Sequence, residues 1–177
     1  SATPPTLNPT VPLSVRKAVS GELHKAPGDI ILKDLATVRE LSLVGEDIDN
    51  LWFVAHMPKL RILDLRFTQI ADLSPLSGLN DLWWLSVEGS RVSDISSIKS
   101  VPNLTKLFLT DTSVSNLAPL KGLVHLRSLS IEGTKVLDLS AIAGLGDMWY
   151  FWCDRTGVSS IEPLLGMKKL EKLGLSE

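Results

Sequence analysis

The chain has 177 residues and a net charge of -2, with 44% hydrophobic and 21% charged residues. These values suit one ordinary globular domain and argue against the basic face that non-specific binding to nucleic acid or acidic membranes requires. No run approaches the roughly 18 apolar residues of a membrane span, and a single cysteine, Cys153, excludes an internal disulfide framework.

In chain order, residues 1–12 hold four prolines and few large apolar groups, and read as a flexible leader. Residues 13–37 predict a helical cap. Val15, Ala18, Val19, Leu23 and Ala26 recur at helical spacing, and Pro27-Gly28 is expected to end the helix. From residue 38 to 177 the chain repeats every 22 residues without a gap. Six full repeats begin at Val38, Leu60, Leu82, Leu104, Leu126 and Met148, and a partial seventh begins at Leu170. The shared pattern is L-x-x-L-x-L-x-x-T-x-I-x-D-L-x-P-L-x-G-L-x-x, clearest in "LRILDLRFTQIADLSPLSGLND" at 60–81.

A fixed period of this length predicts a solenoid in which each repeat buries its apolar face against its neighbours. The L-x-L segment alternates as a strand with one buried face does. In the second half, Pro75, Pro119 and Pro163 share one column and Gly78, Gly122, Gly144 and Gly166 another, which predicts short 3₁₀ or turn segments. The amphipathic cap would shield one open end of the stack. At the other end, Leu170, Leu173 and Leu175 carry no polar cap in this sequence, so a fragment of a longer chain or end-to-end self-association is expected.

The pattern resembles the leucine-rich repeat family, in the 22-residue form of bacterial internalin-like proteins, over about residues 38 to 177. "VRKAVSGELHKAPGDIILKDLATVREL" at 15–41 is similar to the helical cap that precedes such repeats, through Arg16, Ala18, Val19, Leu23, Gly28-Asp29-Ile30 and Asp34-Leu35-Ala36. The resemblance implies an α/β fold: a leucine-rich-repeat solenoid with a curved parallel β-sheet on its concave side, 3₁₀ turns on its convex side and the N-terminal helical cap. It implies a bacterial source, a secreted, surface or host-delivered setting and a protein partner. The chain departs from the family at the ninth repeat position, where Asn is usual. That column reads Glu46, Thr68, Ser90, Thr112, Thr134 and Thr156. A hydroxyl both donates and accepts, so a Thr/Ser ladder onto neighbouring backbone is expected.

The sequence offers no catalytic constellation. His24, His56 and His125 fall in the cap, a convex turn and a repeat boundary, so no metal site is expected. No nucleophile elbow, phosphate loop or H-E-x-x-H motif occurs. "GLGD" at 144–147 lies in a convex turn, and "NLT" at Asn103 is short enough to arise by chance. Cys153 sits in an inward leucine column and reads as a small buried apolar residue. Neither enzyme activity nor a cofactor is expected.

The second, third, fifth, seventh and eighth repeat positions project from the concave face. Alternation gives this for the third, fifth and seventh; the resemblance implies it for the others. Trp83, Trp84, Phe108, Trp149, Tyr150 and Trp152 fall there, as do Arg39, Arg61, Arg66, Lys106, Arg127 and Arg155. Trp52, in a convex half, is the exception among the tryptophans. An exposed aromatic cluster predicts a binding surface. Phe108 and Trp152 share a column two strands apart, about 10 Å. With Ser128, Ser130, Glu132 and Gly133 between them, they predict an aromatic-walled slot with a polar floor. The expected function is binding of a protein or peptide. A recognition domain of a larger effector or enzyme, and carbohydrate binding through Trp and Tyr, remain as alternatives.

Overall fold

Every 22 residues the chain places three consecutive residues where both neighbouring repeats can pair with them. The computed structural model describes residues 10–175. Its seven strands are β1 (Glu40–Ser42), β2 (Ile62–Asp64), β3 (Trp84–Ser86), β4 (Lys106–Phe108), β5 (Ser128–Ser130), β6 (Tyr150–Trp152) and β7 (Lys172–Gly174). They form one parallel sheet in sequence order, without a register slip, so Trp84 pairs with Lys106 and Phe108 with Ser130. Each repeat returns through a short 3₁₀ turn, such as Ser74–Leu76 or Ala118–Leu120, whose proline lies at one of its first two positions.

The leucine columns form the core. Leu60, Leu63 and Leu65 of the second repeat have no exposed surface, nor do Leu104, Leu107 and Leu109 of the fourth. The inward residues of the 3₁₀ turns, among them Leu76, Ile98, Leu120 and Ile142, close the core from behind. Just before several of these turns an Asp accepts from the backbone and hydroxyl of a Ser two residues on, as Asp72 does from Ser74 and Asp138 from Ser140. These local bonds satisfy the first donors of a turn too short to satisfy its own.

Helix α1 (Leu13–Leu23) buries Val15 and Val19, and Leu23 packs on the core. It ends earlier than Pro27-Gly28 predicts. His24 takes the left-handed conformation (φ 51°) and stops it, and Pro27–Asp29 form a separate 3₁₀ turn. Ala26 thus lies outside the helix, and Ala18 is exposed. Of the expected leader, residues 1–9 lie outside the described residues; Val11 is buried against the core.

The ninth-position hydroxyls do not bridge repeats. Thr68, Thr112, Thr134 and Thr156 each donate to the carbonyl three residues back in their own repeat, at 2.6 to 2.7 Å. Threonine is shorter than the usual Asn and reaches only its own turn. Backbone amides carry the inter-repeat bonding there instead, as in Gly45 to Arg66 and Asp111 to Glu132, both at 2.8 Å.

Candidate functional site

The strands are three residues long, so only the third and fifth repeat positions are strand residues that face outward. The seventh follows just beyond, and the eighth sits in a turn with left-handed backbone: Phe67, Asp111 and Arg155 have φ between 53° and 59°. Glycine fills that position in the alternate repeats, and Gly133 shows why. Its missing side chain leaves room for the Asp111 carboxylate and the Arg155 guanidinium, which pair across it at 3.0 Å.

The predicted aromatic residues gather in two ring pairs. Trp84 and Phe108 meet with centroids 5.6 Å apart, and Tyr150 stacks on Trp152 at 6.0 Å and 16°. The first pair joins adjacent strands; the second comes from alternate residues of β6, which share one face. Three cations cover further ring surface. Lys106 lies 5.9 Å from the Trp83 centroid, Arg127 5.4 Å from Trp149, and Lys172 5.9 Å from Tyr150. The Tyr150 hydroxyl donates to Glu171 at 3.3 Å. Trp83, Trp84, Phe108, Tyr150 and Trp152 are half-buried by these contacts, and Trp149 is exposed.

The predicted arginines divide into two sets. Arg66 lies in a fork on Asp64, with bonds of 2.9 and 2.8 Å, and the hydrogen bonds and charge of Asp64 raise its pKa. Asp111 does the same to Arg155. Arg39, Arg61 and Arg127 are exposed and have no ion pair among the described residues.

The slot between Phe108 and Trp152 is closed over the two serines of its floor, whereas Glu132 and Gly133 stay half-exposed. Ser128 and Ser130 are 4% and 2% exposed. They are small residues between large ones on strands about 4.8 Å apart, and the flanking side chains close over them. The Ser130 hydroxyl is engaged by Thr110 at 2.7 Å and Glu132 at 3.1 Å. Trp52 lies in the convex half, edge-on to Phe53 and His56.

Two features escape the sequence reasoning. Phe67 is 55% exposed, with its ring edge over Gly89; its signal was the eighth position itself. A pocket of about 620 Å³ lies between α1 and the first three strands, lined by Glu22, Arg39, Glu40, Ile62, Asp64 and Trp84. Only the packing of the cap against the sheet creates it. Of Leu170, Leu173 and Leu175, where the sequence places self-association, Leu173 and Leu175 are exposed by 38% and 50%, whereas Leu170 is half-buried against the core.

No protein-family model and no curated protein matches the chain in sequence. Solved structures do match in shape. An internalin C2 of Listeria monocytogenes superposes with a TM-score of 0.87 and 24% identity, over 97% of this chain and 80% of that one. The fold is that of the internalins. A second Listeria monocytogenes internalin, inlF, matches at 0.72 and 22% over 96% of this chain, which spans 59% of its length. In this internalin fold the strand face carrying the aromatic pairs is the concave one.

Proposed function

We propose that the chain is a protein-interaction module that holds a partner protein or peptide on the concave face, and that it is not an enzyme. One observation carries this reading. Four of the five tryptophans, with Tyr150 and Phe108, stand on the outward side of the sheet with no described element covering them. Large rings are expensive to leave in water, and interface anchors are drawn from Trp, Tyr and Arg. The likeness to the Listeria internalins supports a bacterial protein working at a surface or against a host, as an analogy of fold.

The ring contacts favour a protein over a sugar. A sugar stacks on an open ring face, whereas Lys106, Arg127 and Lys172 already occupy faces of Trp83, Trp149 and Tyr150. A protein can meet the cation and the ring together.

A Trp84→Ala/Trp152→Ala double variant tests the reading. Each ring is partly exposed, so the variant keeps the circular dichroism of the parent. Loss of two anchor rings, each worth about 2 kcal/mol, lowers affinity for a captured partner by a hundredfold or more. Equal capture by parent and variant would sink this assignment of the surface.

A further inference from the structure

The concave face is divided by charge across the strands. At the second and third repeat positions, where the strands begin, stand Arg39, Arg61, Lys106, Arg127 and Lys172, against only Glu40 and Glu171. At the fifth and seventh positions, toward the strand ends, stand Asp64, Glu88, Glu132 and Asp154, against only Arg66. Arg66 and Asp64 offset one another, and the row keeps a net negative charge through the other carboxylates. One edge is therefore cationic and the other anionic.

The cationic edge is sharpest in repeats four to seven. Lys106, Arg127 and Lys172 are exposed and have no ion pair among the described residues. Two carboxylates lie on this side: Asp147, which pairs with Lys169 at 2.6 Å and also feels the charge of Arg127, and Glu171, which accepts from the Tyr150 hydroxyl. Each cation lies against a ring, which holds its long side chain near one place on the surface. Register sets the spacing. Lys106, Ser128, Tyr150 and Lys172 follow one another on successive strands, so the cations run along the solenoid axis over about 14 Å. An extended peptide places alternate side chains about 7 Å apart, so one short segment reaches all three cations.

We propose that this edge, where Lys106, Arg127 and Lys172 lie over Trp83, Trp149 and Tyr150, receives an acidic segment of the partner, running along the solenoid axis. Carboxylates on the segment pair with the three cations, and apolar side chains beside them meet the rings. The anionic row beyond repels the segment from the other edge and so fixes its path. The proposal rests on the reading of the concave face as a protein-binding surface and adds the chemistry of what it binds.

The test uses three synthetic peptides of equal length and equal aromatic content, alternating with Glu, with Lys or with Gln. Each is titrated into the full chain and followed by tryptophan fluorescence and calorimetry. The Glu peptide binds about tenfold tighter than the Gln peptide, as three exposed charge pairs supply. Its affinity falls between about 50 and 300 mM salt, because exposed pairs are screened. A Lys106→Glu/Arg127→Glu/Lys172→Glu variant, altered only at exposed positions, reverses the preference in favour of the Lys peptide. A Lys106→Gln/Arg127→Gln/Lys172→Gln variant abolishes the preference without reversing it. No binding of the Glu peptide, or binding that the reversal leaves unchanged, overturns the proposal. If the Lys or Gln peptide binds tightest and Trp84→Ala/Trp152→Ala abolishes it, the acidic segment is wrong while the binding face stands.

Discussion

Cys153 shows what a repeat column does to a single side chain. It occupies a position that leucine holds in most repeats, is 3% exposed, and directs its thiol to the Gly174 carbonyl at 3.4 Å. Burial pushes its pKa up to about 11, and the charges of Asp154 and Glu132 add to the effect. The raised value has a definite sign. The folded state favours the neutral thiol, so this contribution to stability is complete below the pKa of an unfolded cysteine and is lost as pH rises toward about 11. Native Cys153 therefore alkylates far more slowly than a free thiol at pH 8, and becomes reactive at that pH once the protein is unfolded. Rapid labelling of the native protein would contradict this burial. Column arithmetic alone sorts Met148, Phe151 and Cys153 from Trp149, Tyr150 and Trp152, and the structure keeps every one on its assigned side. Alternation tells which face a side chain takes but not which neighbour it meets. That is why the sequence places Arg66 and Arg155 on the concave face without showing that they are ion-paired in the fold.

At the scale of the element, α1 covers the end of the stack and also completes the sheet. In each interior repeat the amides of the second and third positions share one carbonyl of the preceding repeat, as Arg61 and Ile62 share that of Arg39 at 2.7 and 3.1 Å. The first repeat has no preceding strand. Glu22 of α1 supplies its carboxylate instead, accepting from Arg39 at 2.8 Å and from Glu40 at 3.4 Å. A side chain thus stands in for a missing backbone carbonyl at the sheet edge. Glu22→Ala removes the acceptor, speeds hydrogen exchange at the Arg39 amide, and costs about 1 kcal/mol in denaturant unfolding. Unaltered exchange at Arg39 would show that the carboxylate has no such role. The amphipathic helix was legible from Val15, Val19 and Leu23. Its end was not, because the stop is His24 in a left-handed conformation that sequence assigns to glycine. The pocket beside Glu22 was hidden for a related reason: it depends on the angle at which α1 meets the sheet.

At the scale of the whole molecule, the period of 22 residues carried the architecture, because every repeat says the same thing about its neighbours. A solenoid is close to one-dimensional, and a residue's worth depends on how completely the adjacent repeats enclose it. Leu107 and Leu173 hold the same column in the fourth and seventh repeats. Leu107 has no exposed surface, with β3 and β5 on either side, whereas Leu173 is 38% exposed, with β6 on one side. Identical substitutions should therefore have unequal effects. Leu107→Ala leaves a cavity enclosed by both neighbours and costs about 3 kcal/mol, within the range for buried leucine. Leu173→Ala removes a side chain that water already reaches and costs roughly 1 kcal/mol or less. Urea unfolding of the two variants, followed by tryptophan fluorescence, separates the cases. Equal losses would mean that the seventh repeat is enclosed in solution as fully as the fourth. Unequal losses would show stability passed from repeat to repeat by contact alone, which is also what keeps the aromatic pairs of β3, β4 and β6 at fixed spacing on the concave face.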